Sequence, residues 1–206
     1  MSRLNISPTK SNHIKIRHDL DMATEGFNLL DQKREILVME LMRLLDRVRR
    51  AEKKLEEKRE NAYNVLRTAL AKNGYNQMER VGSGINYEHK VEVSQRVVAG
   101  VKIPEIEVTP GQFSLQFGFA GTDSLVDETM AAFLELLKVI GEMAHLQSSV
   151  WLLSRELKKT QRRVNALEQI FIPDFKDTLQ HIEEILEGKE LEEFSMRKLV
   201  KEKKQR

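Results

Sequence analysis

Five histidines, at His13, His18, His89, His145 and His181, are the side chains best suited to bind a metal or move a proton near neutral pH. None has a partner at useful spacing. His13 and His18 stand five residues apart, which does not put both imidazoles on one helix face, and no His-Glu-x-x-His run occurs. No Gly-x-Ser-x-Gly turn offers a nucleophile. The "GSG" at Gly82 to Gly84 is too short for a loop that cradles phosphate. Carboxylates are plentiful, but on long helices they form solvated faces, and a coiled coil has no deep pocket to shift their pKa. There is no cysteine, so disulfides, thiolate chemistry and cysteine-bound zinc are excluded, and a reducing compartment fits. No catalytic, cofactor-binding or metal-binding residue is predicted.

What remains is charge and stickiness. Arg47, Arg49, Arg50, Lys53 and Lys54 form one basic cluster, and Lys158, Lys159, Arg162 and Arg163 another. The C-terminal "RKLVKEKKQR" adds Lys198, Lys201, Lys203 and Lys204. Two readings stand for these groups. They are solvated faces paired with nearby Glu52, Glu56 and Glu57, or positive surfaces facing an acidic protein sleeve or a nucleic-acid backbone. The net charge of +2, from 34 basic and 32 acidic residues, makes no global case for nucleic acid. "PGQFSLQFGFAG" gathers Phe113, Phe117 and Phe119, which form either a small local core or a docking surface, the latter being preferred here.

These residues need elements to hold them. Seven of the ten glycines lie between Lys72 and Thr122, so the chain reads as helix, irregular insert, helix. The first helix is expected over 7–72, with Ser7 as N-cap and Pro8 in the first turn. Its seam runs Ile16, Leu20, Ala23, Phe27, Leu30, Arg34, Leu37, Leu41, Leu44, Val48, Ala51, Leu55, Lys58, Ala62, Val65, Ala69. Steps of four and three alternate without a slip, the signature of a left-handed coiled coil. The insert, 73–122, contains "HKVEVSQRVVAGVKIPEIEV", read as a β-hairpin at about 87–109 turning at Ala99-Gly100, with Pro104 on an edge strand. The last helix is expected over 123–200, with its seam at Ala132, Leu136, Val139, Met143, Leu146, Val150, Leu153, Leu157, Thr160, Val164, Leu167 and Phe171. Beyond Phe171 the apolar residues are Phe175, Leu179, Ile182 and Leu186, and the phase shifts at Pro173. Pro173 is expected to bend or loosen this helix, not to end it.

The fold class is therefore mainly α: a long antiparallel left-handed coiled coil of N- and C-terminal helices in a single elongated domain, with a glycine-rich middle insert. Placing Ala69 opposite Ala132 brings Ile16 near Ile185 and makes the chain ends meet. In that register either Arg34 reaches Glu168 and Lys58 reaches Glu142, as seam ion pairs, or both basic side chains snorkel out of the groove. The N-terminus has no apolar signal region, and "MAAFLELLKVIG" is interrupted by Glu135 and Lys138, so no segment reads as a membrane span of about 20 residues.

Four stretches, "RLNISPTK", "GFNLLDQKREIL", "VAGVKIPEIEV" and "TQRRVNALEQIFIPDF", with the last continuing into "IEEILEGKELEEFSMRKLVKEK", resemble the D subunit of V-type and A-type rotary ATPases. The resemblance implies a central-stalk rotor that holds no nucleotide of its own. Its partners would be the A and B subunits of the catalytic ring, a small F subunit, and a funnel-like subunit (C or d) on the membrane ring. It would sit on the cytoplasmic side of the membrane, touching it only indirectly, with no nucleic-acid partner. The tip buried in the ring would carry Arg3, Pro8 and Lys10 with the basic C-terminal residues. Arg162 and Arg163, read from their spacing beside Thr160 and Val164, face outward, either solvated or toward a partner. The hairpin would be linked to activity of the ring, and the insert around Gly82 to Gly121 would be the membrane-proximal end. A coiled-coil arm binding nucleic acid, or a scaffold, is the alternative.

Overall fold

The computed structural model describes residues 4–85, 88–111 and 123–204, apart from the side chains at 202 and 204. In chain order these form α1 (Lys10–Asn73), α2 (Tyr75–Gly84), β1 (Lys90–Val98), β2 (Val101–Thr109), α3 (Ser124–Ala166), a π-helical turn (Leu167–Phe171) and α4 (Ile172–Lys204). The architecture is mainly helical, with long helices at both ends of the chain and a small antiparallel hairpin between them. Two compact units can be separated, Met1–Glu35 with Leu157–Arg206, and Ile36–Glu156.

Helix α1 begins two residues after Pro8. Thr9, not Ser7, is the cap: its hydroxyl accepts the Asn12 amide at 3.2 Å, and its carbonyl accepts the His13 amide. Ser7 instead offers its carbonyl to the Asn12 side chain. The helix ends at Asn73 because Gly74 takes φ +78, a left-handed conformation that a side chain would resist. At the other long helix Asp123 is the cap, its carboxylate accepting the Ser124 amide at 2.7 Å. The ten-residue helix α2 departs from the sequence reading. It falls in the stretch read as irregular insert, where Tyr75, Met78 and Val81 stand three apart on one helix face and Val81 is buried.

Up to Leu167 the counted seams are the covered positions. On α1, Ile16, Leu37, Leu44, Ala51, Ala62 and Ala69 are buried, and every other seam residue is partly covered. On α3, Leu136, Val139, Leu146, Leu153, Thr160 and Val164 are buried. Within each unit the helices run antiparallel. Lys54 meets Glu142, Lys58 meets Glu135 and Lys72 meets Asp123 in one. Lys10 meets Glu190 and His13 meets Glu183 in the other. This register differs from the one read off the sequence. Lys58 bonds Glu135 at 2.5 Å, leaving Glu142 to Lys54, and Arg34 closes on Asp31 in its own helix rather than on Glu168. A heptad seam looks the same after a slide of seven residues, so periodicity alone could not choose. The edge-to-face contact of Tyr63 with Phe133, 5.7 Å between ring centres, belongs to the observed register.

Helical structure continues through Pro173. The Ile172 amide bonds back five residues to the Leu167 carbonyl, which is the π-type bond. Proline lacks an amide and crowds the carbonyl four residues earlier in a tight helix, and the wider turn relieves that crowding. One extra residue in the turn also rotates the seam. Phe171, a counted seam position, is consequently half-exposed, while Ile172 is partly covered, and Thr178 and Ile182 are fully buried.

In the hairpin, Ala99 and Gly100 both have positive φ, +49 and +79, the type I′ pattern that suits the twist of two paired strands. Val98 pairs with Val101 beside this turn, and hydrogen-bonded and non-bonded pairs alternate from there. Pro104, opposite Gln95, falls on a non-bonded pair, so its missing amide costs the ladder nothing. Ala99 is strained in the left-handed region by about 1 kcal/mol. Replacing Ala99→Asn relieves this, and amide exchange across β1 and β2 should slow by about fivefold, without change in the helices.

Candidate interaction surfaces

The segment before α1 lies along α4. The Leu4 amide donates to the Thr178 hydroxyl at 3.1 Å, and that hydroxyl donates to the Asp174 carbonyl at 2.6 Å. A buried threonine on a seam is thus satisfied twice. Six residues later Lys10 Nζ meets Glu190 Oε1 at 2.7 Å, and His13 Nε2 meets Glu183 at 2.8 Å. The two terminal segments are therefore tied together within one unit. Pro8 is partly covered there, and Lys10 is exposed. Arg3 and the Lys204 side chain lie outside the described residues.

From Glu187 onward every described side chain of α4 is exposed. Leu191, Phe194, Met196, Leu199 and Val200 are each more than half-exposed and fall on different sides of the helix. Lys198, Lys201 and Lys203 are interspersed among them. A helix that is apolar on several sides is one normally surrounded by protein. In the sequence the charges stand out first. The apolar residues lack a seam period, and that lack is the signal that could have found them.

The Lys10–Glu190 pair holds the Lys10 ammonium above its usual pKa, first through the hydrogen bond and then through the charge of Glu190. The same bond and charge hold the Glu190 carboxyl below its usual range. Because the Glu190 pKa is lowered on folding, the pair supports the first turn of α1 above the ordinary carboxylate range. The support is lost as pH falls through the depressed value, and on the alkaline side as pH rises through the raised value of Lys10. Both groups are exposed, so the effect is local. Glu190→Gln should quicken amide exchange in the first turn of α1 at neutral pH and abolish its acid dependence, leaving the global melting temperature unchanged.

Arg162 and Arg163 are exposed on α3, flanked by the buried Thr160 and Val164, and Arg162 Nε donates to the Lys158 carbonyl at 3.4 Å. The α1 cluster is less free. Lys54 is paired with Glu142, Lys53 lies 4.0 Å from Glu57, Arg50 Nε donates to the Asp46 carbonyl, and Arg47 lines the space under the hairpin. Phe113, Phe117 and Phe119 lie outside the described residues. Near the ends of that segment, an apolar groove of about 440 Å³ is lined by Leu66, Val81, Val126, Met130 and Phe133 among others. Among the described residues no group of three His, Asp or Glu side chains could hold a metal ion, and no helix is long and apolar enough to cross a membrane.

The sequence pattern of the ATP synthase D-subunit family matches residues 12–202. The D subunit of the V-type ATP synthase of Thermotoga neapolitana is 31% identical over 200 residues, covering 97% of this chain and 98% of the relative. The D subunit of the A-type ATP synthase of Methanopyrus kandleri is 34% identical, covering 96% and 86%. The V-type ATP synthase D subunit numbered 2 in Treponema pallidum is also 34% identical, covering 97% and 95%. Seams, hairpin and tied ends thus occur in a chain that matches these proteins almost from end to end, and it belongs to the ATP synthase D-subunit family.

Proposed function

We propose that this protein is the central-stalk rotor of a V- or A-type ATP synthase, itself without catalytic activity. It would transmit torque between nucleotide turnover in a ring of A and B subunits and ion translocation through a membrane ring. The observation that carries this reading is the end of α4. Beyond Glu187, where Glu190 meets Lys10, every described side chain is exposed, with Leu191, Phe194, Met196, Leu199 and Val200 spread around the circumference. Large apolar side chains left exposed round a helix end offer a partner a surface to close on. Past Glu193 the described charges are mostly basic, Arg197, Lys198, Lys201 and Lys203, and favour acidic groups around that end.

The rest of the molecule suits rotation. Torque needs helices that stay paired in one register, for which the buried seams supply cohesion and the cross-helix pairs alignment. Each ring state must be contacted differently as the rotor turns, so modest differential binding suffices. Outward charges such as Arg162 and Arg163 meet a moving sleeve without adhering as a broad apolar face would. A small F subunit and a funnel-like subunit on the membrane ring complete the partners, with the chain held at the membrane only through them.

Tagged protein should recover the A and B ring subunits together with a small F partner. Replacing Leu191, Phe194 and Leu199 together by serine should lower ring recovery by roughly tenfold or more. Because the three side chains are exposed, the helical circular dichroism should stay the same. Recovery of the chain alone, or of RNA in place of the ring, would overturn the assignment.

A further inference from the structure

The hairpin rests on α3 by β2, and β1 reaches α1 through Arg96. Strand β1 is exposed from Lys90 to Val97, whereas β2 alternates covered and exposed residues, with Ile103 buried. Its seat is a row of α3 residues one turn apart. At Gly141 an added Cβ would stand 2.9 Å from Val108 Cβ and closer still to its Cγ2, so the side chain of Val108 occupies the place of a missing methyl. At His145, Nδ1 lies 2.8 Å from the Pro104 carbonyl. A carbonyl only accepts, so Nδ1 carries the proton. This bond uses the outward carbonyl that the Pro104 register leaves free of the ladder. One turn further on, buried Ser149 returns its hydroxyl to the His145 carbonyl.

This row is not the seam. Coil pairing uses Val139, Met143, Leu146, Val150 and Leu153, on another face of the same helix. One space beneath the hairpin is small, about 60 Å³, and is lined by Glu40, Arg47, Arg96 and Glu105 together with the apolar Leu44, Val98 and Ile103. The ion pair across it, Arg96 with Glu40, spans 3.9 Å. Among the described residues, docking rests on buried Ile103, Val108 in its glycine notch, the His145 hydrogen bond and the long Arg96–Glu40 ion pair. The coil rests on many fully buried side chains.

We propose that the hairpin is a latch that leaves and rejoins α3 while the helices stay paired, with Gly141 as its notch and His145 as its catch. The notch and the catch lie on a face of α3 that the coil does not use, so the α3 seam residues need not move when they open. The inference concerns attachment of the hairpin and does not rest on the proposed rotor role.

Amide hydrogen exchange on the full chain tests it, with the two variants Gly141→Ala and His145→Leu. Alanine is the better helix former, so Gly141→Ala should leave the thermal midpoint unchanged or raised. The same change should make β2 amides exchange roughly tenfold faster, as Val108 is pushed out of its notch. His145→Leu keeps bulk but removes the donor, and should quicken exchange in β1 and β2 by a similar factor with α1 and α3 unchanged. Unchanged hairpin exchange in both variants overturns the proposal. So does acceleration that spreads equally into α1 and α3, because the hairpin and the coil then open as one body.

Discussion

Helix α1 carries a continuous apolar seam that nothing within the helix itself can cover, and the rest of the structure follows from that constraint. Each turn must find an antiparallel partner, and the later helices supply it in both units. Fully buried Leu37, Leu146, Leu153 and Ile182 each contribute about 1.5–3 kcal/mol by leaving water. The ion pairs beside them are exposed and add little stability. Their part is to distinguish one register from another that would bury the same seam. Stability comes from the apolar stripe, and alignment from the charges and from mismatched sizes such as the Tyr63–Phe133 contact.

Two departures from regular helix serve this arrangement. The π-turn at Leu167–Phe171 accommodates Pro173 and advances the buried face by one residue, so the seam continues through Thr178 and Ile182. Its by-product is that Phe171, and Ile170 beside it, face outward. The other departure is Gly141. In the middle of a strong helix a glycine weakens the backbone, and here the absence of a side chain is what Val108 requires. In both cases a residue that is poor by helix propensity is explained by what packs against it.

A rotor turning inside other proteins would have to be internally firm and externally ready for partners. The buried seams suit the first requirement. The second is visible where covering stops, along α4 beyond Glu187 and on the outer strand of the hairpin, where Val91, Val93 and Val97 are exposed. The outward arginines at 162 and 163 lie over a seam that stays buried beneath them. Surface chemistry can therefore vary without disturbing the pairing.

By itself the sequence determined the two seams, the antiparallel plan, the hairpin with its two-residue turn, and the helical course through Pro173. Each of these follows from local periodicity or from backbone chemistry that one or two residues impose. It did not determine the register, because a heptad pattern repeats under a slide and the energy that separates the choices lies between residues far apart in the chain. Lys58 could be assigned to a partner helix but not to Glu135. Nor could it show that Thr9 caps α1 or that Gly141 and His145 seat the hairpin, since each depends on a neighbour brought close only by folding. The apolar residues of the α4 end were plain to read, yet only the tertiary structure decided that nothing in the described chain covers them. Exposure is a property of what surrounds a side chain, and the side chain itself does not encode it.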